Sequence, residues 1–235
     1  MSVFGKSWSI RYVFIMKDRC SCLSAYRSYY HFSLAFAVPV LGATVGIASA
    51  DAQSITAASD GTGTVVTQSR SQFDITGGSF SADGINQFHS FDEFSVEAGQ
   101  AANFVAEPAV QNVLARVSGG ATSVIDGQVA VAGENQPNLF LMNPAGVLIG
   151  PDAHLNLPGS VTVTTADAIA FDQGNFYATG ENTYTALSQS PTGSLTFSNA
   201  SPGSIVNEGD ISVAPGETVT LTGGAVVSTG ELSVP

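Results

Sequence analysis

Glycines at 209, 216, 223 and 230 fall seven residues apart, and this spacing constrains the chain more than any other feature. Between them lie the pairs Ile211/Val213, Val219/Leu221, Val226/Ser228 and Leu232/Val234, each split by one outward residue. A strand points successive side chains to opposite faces, so each triplet buries two side chains and exposes one. The segments lack the two-residue Asn-Gly or Asp-Gly turns that join antiparallel hairpins. A short strand, a glycine corner and another short strand is the grammar of a parallel solenoid, with glycine taking corner φ values that other residues resist. Three segments make a coil of about 21 residues, within the range of stacked repeats. The competing reading is an antiparallel sandwich of short strands.

Upstream, the same texture continues as Gly63–Thr67, Gln128–Ala132, Leu139–Met142, Gly146–Ile149, His154–Leu157 and Ser160–Thr164. Short alternating runs cut by turn residues predict an all-β fold. Val110, Val113, Leu114 and Val117 alone follow a helical period, so Pro108–Val117 reads either as one short helix or as a turn plus a strand.

Charge divides the chain in two. Of the seven basic residues, five precede residue 51, together with both cysteines and the one Trp. From Asp51 onward Arg70 and Arg116 stand against 18 acidic residues, with no lysine. That excludes a disulfide scaffold, a thiolate metal site and a cysteine nucleophile there. It also excludes nucleic acid as a partner, which needs a positive surface.

Phe32–Ala50 is 19 uncharged residues behind a basic segment, ending in Ala48-Ser49-Ala50. These are the parts of a secretory signal, giving a leader of residues 1–50, or 1–52 if Ala50-Asp51-Ala52 is cut. The rival is a membrane anchor, against which stand Pro39, Gly42, Gly46 and the missing basic stop. Cys20 and Cys22 lie too far upstream for a lipoprotein site. Met16 opens a sufficient basic region of its own, so residues 1–15 are expected to precede the true start.

Residues 60–235 resemble the amino-terminal secretion domain of two-partner secretion exoproteins, the filamentous haemagglutinin-like adhesins, and cyanobacterial versions above all. The resemblance runs from Asp60–Thr64 through Gly84-Ile-Asn-Gln-Phe-His-Ser-Phe91, Val110–Gly120 and Ser123–Gly127. Its centre is Asn138–Ala153, and Thr164–Phe171 follows. It implies a single-stranded, right-handed parallel β-helix of the pectin-lyase type, with extra-helical strands capping the amino end. It also implies a role as a secretion signal, recognised by the periplasmic POTRA domains of an outer-membrane β-barrel transporter. The exoprotein then passes through the periplasm to the surface of a Gram-negative-type cell and folds there as an adhesin. The domain spans 51–235, and the array stops at Pro235 with an open edge, as expected of a fragment of a longer β-helical protein. Host or cell-surface glycans would be met by its missing carboxy-terminal parts.

The family's Asn-Pro-Asn-Gly motif stands here as Asn143-Pro144-Ala145-Gly146. Its residues spell a β-turn, Asn bonding the backbone ahead and Pro presetting φ. The resemblance adds partner recognition at Asn143, Pro144 and Gly146, while Ala145 departs from the family's Asn and lacks its side-chain hydrogen-bonding group. The family's Asn-Pro-Asn-Leu motif has no counterpart, since Gln136-Pro-Asn-Leu139 lies too late. Arg116, a lone guanidinium in an acidic domain, is expected to hold a carboxylate or carbonyls in a fixed bidentate pair.

His89 and His154 have no second ligand at metal spacing and read as polar loop residues, so neither a metal nor a cofactor is expected. Asp92 and Glu93 are adjacent on a predicted strand and should face opposite ways. With Asp167 and Asp172 they read as solvated surface. Asp60–Gly63 is too sparse for a calcium loop. Phe73, Phe80, Phe88, Phe91, Phe94 and Phe104 read as core under a cap. The expectation is a secretion and interaction module rather than an enzyme. The alternatives are a β-helical polysaccharide-degrading enzyme or carbohydrate-binding surface protein, and an autotransporter, which would need a carboxy-terminal barrel.

Overall fold

The computed structural model describes residues 55–235. The leader and the alternative start at Met16 lie outside the described residues. Four short strands open the fold: β1 (Ile55–Ala57), β2 (Thr64–Ser69), β3 (Gln72–Gly77) and β4 (Ser79–Phe80). The first coil follows with β5 (Asn86–Phe94) and β6 (Ala101–Val105), and between them Val96 bridges in parallel to Ile125 of the next coil. The next two coils each have three strands: β7 (Asn112–Val117), β8 (Ser123–Ile125) and β9 (Gln128–Ala132), then β10 (Asn138–Met142), β11 (Val147–Ile149) and β12 (His154–Leu157).

The fourth coil starts with β13 (Val161–Thr164) and then leaves the helix. The excursion holds β14 (Ala168–Phe171), β15 (Gly174–Tyr177), a 3-10 turn at Tyr184–Ala186 and β16 (Leu195–Thr196). The coil resumes with β17 (Ser204–Asn207) and β18 (Asp210–Val213), and a fifth adds β19 (Val219–Thr222), β20 (Ala225–Ser228) and β21 (Leu232–Ser233).

Every pairing between coils is parallel, so the strands stack into three sheets: β5-β7-β10-β13-β19, β8-β11-β17-β20 and β3-β6-β9-β12-β18-β21. Antiparallel additions sit at the amino end, with β1 and β4 on β5 and β2 on β3. This is an all-β parallel β-helix, not a sandwich. The last coil rises by 21 residues, pairing Ser204 with Ala225 and Ile211 with Leu232.

The glycine corners lie between strands as the seven-residue period predicts, but mostly for another reason. Only Gly216, at φ +92°, sits in the left-handed region. At Gly209 an added Cβ would collide with the carbonyl of Gly150, and at Gly230 with that of Gly209. Stacked corners bring backbone onto backbone, and only the absence of a side chain leaves room.

Register sorts the side chains into columns. Facing inward are Val113, Leu139, Val161 and Val219, and beside them Ala115, Leu141, Val163 and Leu221, all at most 4% exposed. Burying such side chains stabilises by roughly 1.5–3 kcal/mol each. Facing outward from the same sheet are Phe88, Leu114 and Phe140 in one column and Met142 in the next. The excursion covers them, packing Ile169, Phe171, Phe176, Ala178 and Leu187 onto this second cluster. The helical period at Pro108–Val117 is therefore resolved as a turn plus strand. Strand β7 is buried on both faces, with Val113 and Val117 pointing inward and Leu114 outward, and that arrangement mimics a helical stripe. Of the early phenylalanines, Phe73, Phe91, Phe94 and Phe104 enter the main core with Phe80 packed against it, while Phe88 faces outward into the second cluster.

Candidate functional site

The turn Asn143–Gly146 joins β10 to β11 and is closed by Gly146 N–H donating to the Asn143 carbonyl at 3.0 Å. The Asn143 side chain makes the local bond expected of it, its Oδ1 accepting from Ala145 N–H at 2.9 Å. It also reaches back to the preceding coil, Nδ2 donating to the Ala121 carbonyl at 2.9 Å and to Ser123 Oγ at 3.0 Å. From the following coil, Gly203 N–H donates to the Pro144 carbonyl at 3.1 Å. A Cβ on Gly203 would come within 2.5 Å of that same oxygen. Asn143 is consequently fully buried, while Pro144 and Ala145 are half-buried at the surface. Gly146 is buried with φ +121°, a conformation that suits glycine alone.

Arg116, on the outer face of β7, holds four partners rather than one bidentate pair. Its Nη2 meets Asp60 Oδ2 at 2.7 Å, its Nη1 donates to the carbonyls of Tyr177 at 2.9 Å and Gly180 at 2.8 Å, and its Nε donates to Ser90 Oγ at 3.0 Å. The guanidinium side chain is 3% exposed. Burial would raise the Asp60 carboxyl, but hydrogen bonds from Ser90, Thr62 and Arg116 outweigh it and hold its pKa well below the usual carboxylate range. The node joins the segment before β2, the first two coils and the excursion. Tyr184 adds a second tie to the same place, its hydroxyl 2.7 Å from Thr62 Oγ1.

A third tie is an asparagine ladder that reading the sequence missed. Asn112 Nδ2 donates to Asn86 Oδ1 and Asn138 Nδ2 to Asn112 Oδ1, each at 2.9 Å and 26 residues apart. The upper end closes on the excursion, where Asn86 Nδ2 donates to the carbonyls of Leu187 and Gln189. The lower end closes on the next coil, through Ser160 N–H to Asn138 Oδ1. The signal was present as an asparagine opening three strands at a constant interval.

The histidines are strand residues, not loop residues. His89 is 1% exposed at the top of an inward column, above Ala115 and against the rings of Phe91 and Phe104. Neither ring nitrogen has a hydrogen-bond partner, and burial pushes the imidazole pKa down to about 4. The unfolded chain takes up this proton near pH 6.5, so unfolding gains a proton between those values. Stability is therefore full above pH 6.5 and falls by roughly 3 kcal/mol as the pH drops to about 4. Urea unfolding at several pH values should show this slope, and His89→Leu should flatten it; an unchanged slope would contradict the assignment.

His154 opens β12 in the open, with Nδ1 3.4 Å from Asp210 Oδ2. Register supplies that carboxylate from 56 residues away (His154 to Asp210), beyond any spacing motif. No group of three ligating side chains able to hold a metal exists among the described residues.

Asp92 and Glu93 are both exposed, contrary to the alternation expected of a regular strand. Thr56 pairs with Glu93 and Ala57 with Phe91, so Asp92 is the extra residue of a β-bulge. Asp167 accepts from the backbone of Ser198 and Asn199 and ties down the end of the excursion. Asp172 is exposed between β14 and β15. The structure does not bring these carboxylates together with one another.

A parallel β-helix whose outer face is pinned by an excursion is a β-solenoid domain. The TPS secretion domain family model matches residues 52–235, and the chain belongs to that family, the secretion domains of two-partner secretion exoproteins. Among solved structures it is similar to the HMW1 secretion domain from Haemophilus influenzae, at 25% identity and a TM-score of 0.53 over 73% of this chain. The chain spans 39% of that protein's length. No curated protein matches it.

Proposed function

We propose that residues 51–235 are the secretion signal of a larger exoprotein, delivered to the periplasm by the leader 1–50 or 1–52. There the chain is captured by the POTRA domains of its own outer-membrane transporter and passed outward, to fold as a β-helix on the cell surface as part of an adhesin. The family match over nearly the whole domain carries the reading.

The burial of Asn143 bears on its timing. A side chain with no exposed surface and three bonds spent inside the fold can be read by a partner only before the third and fourth coils close. Slow closure leaves that window open, because β13 and β19 pair across 58 residues (Val161 to Val219) and loop entropy is lost before contacts are gained. The absence of cysteine after residue 51 leaves no bond that could lock loops that have to thread.

The structure also redirects the test of the turn. Asn143→Ala removes three buried bonds and confounds recognition with stability. Pro144 offers only its half-buried ring and a preset φ, so Pro144→Ala should cost no more than about 1 kcal/mol. Co-expressed with its transporter, that variant should be secreted several-fold less than the parent chain while its thermal midpoint barely moves. Secretion at the parental level would make the turn purely structural.

A further inference from the structure

Of the amino-terminal edge strands, β2 is the longest, at six residues. It ends the sheet β2-β3-β6-β9-β12-β18-β21, and each new coil adds on the side away from it. Its six residues pair with β3 without a register shift, across the two-residue turn Arg70-Ser71. In such a hairpin Ser69/Gln72, Thr67/Asp74 and Val65/Thr76 exchange the backbone hydrogen bonds, so the N–H and C=O groups of Thr64, Val66 and Gln68 point away from β3. Among the described residues no backbone–backbone hydrogen bond reaches residues 64–69 from that side, and Ser90 N–H meets only the Thr64 hydroxyl, at 2.9 Å.

The neighbouring edges are protected. The strand β1 is three residues long and paired through a bulge. The edge of β8 is covered, Val96 N–H donating to the Val124 carbonyl and Val124 N–H to Ser95 Oγ. Proteins blunt exposed edges with short strands, bulges, lysine or proline, and Thr64-Val-Val-Thr-Gln-Ser69 uses none of these. Val65 stands 50% exposed on it.

We propose that the β2 edge is the docking strand to which an edge strand of the transporter's periplasmic region adds while the coils are still unformed. This rests on the secretion reading above. Strand addition takes its affinity from the main chain, and an isolated two-stranded hairpin is marginal until a third strand joins it. The β2–β3 hairpin is closed by neighbouring residues and needs no coil. A partner strand on β2 stabilises it and leaves the β3 side open for β6. The handle is never consumed by folding, so capture and helix growth do not compete. Charge selects a heterologous partner over a second copy, which would bring the same excess of acid. The strand is uncharged, Arg70 at its tip is exposed, and Arg116 is spent inside the node. The incoming strand is therefore uncharged, with a carboxylate placed to meet Arg70.

The test is a photo-crosslinking amino acid at Val65 in the full chain, co-expressed with its transporter. The same probe at Val227, 54% exposed on β20, is the control. The Val65 probe is expected to cross-link to the transporter and the Val227 probe is not. Gln68→Pro removes one outward N–H and keeps the ladder to β3, so secretion should fall about fivefold to tenfold, the effect of one unmade backbone bond. The cross-link is read without that substitution, so it holds even if proline weakens the hairpin. Secretion without a Val65 cross-link to the transporter, or a Val65 cross-link to a second copy instead, overturns the docking strand and leaves the secretion reading standing. A parent chain that its transporter does not secrete overturns both.

Discussion

Replacing Arg116 with Met should destabilise the domain by about 3–5 kcal/mol, the usual cost of breaking a buried charge pair by deleting one partner. Methionine fills much of the volume but donates nothing. It strands the carbonyls of Tyr177 and Gly180 and leaves the Asp60 carboxylate without its counter-charge. Lysine keeps the charge but cannot fork toward four acceptors, so Arg116→Lys should recover only part of the loss. Urea unfolding measures the total, and hydrogen exchange should place the loosening at residues 58–62 and 177–182. A loss under about 1 kcal/mol, within the range of exposed ion pairs, would refute the node. Acid gives an independent reading. Asp60 has its folded pKa depressed, so its contribution is present above the ordinary value of 3.8 and is lost as the pH falls below it. That window lies under the one assigned to His89, and the two should separate in an acid titration.

Placing Asp at Val213 should cost as much or more. Val213 is 3% exposed, faces the core from β18 and pairs with Leu157. A carboxylate there has no partner, so it either remains charged at a cost of several kcal/mol or takes a proton and still loses its water. The valine's burial, roughly 1.5–3 kcal/mol, is lost as well. Against a typical total of about 5–15 kcal/mol this leaves little margin. Stacked coils contact only their neighbours, so the damage should be graded. Exchange protection should vanish over residues 204–235 and survive in β5 and β7. Uniform loss along the chain would mean that the coils fold as one unit, and an unchanged thermal midpoint would place Val213 outside the core.

The repeat was legible in the residues because its causes are local. Strand alternation acts over two residues and corner spacing over seven, and the 21-residue rise emerges from three such segments. The asparagine ladder was legible in principle, since 26 is a constant interval, but its longer coils hide behind unequal corners. The glycines marked the corners correctly for a reason that was mostly wrong. One needs its φ, whereas Gly209 and Gly230 need space beneath a neighbouring coil, which no local rule contains.

Local residue order sets the strand grammar, the stacking period, the acidic surface and the place of the Asn143 turn. Tertiary structure alone decided what Arg116 holds, that His89 is buried without a partner, that Asn143 is sealed between coils and that His154 faces Asp210. Arg116 lies 56 residues from Asp60 and 64 from Gly180, and His154 lies 56 residues from Asp210. A chain lists its residues along one dimension, whereas a stacked coil makes neighbours of residues whose separation depends on the length of every corner and excursion between them.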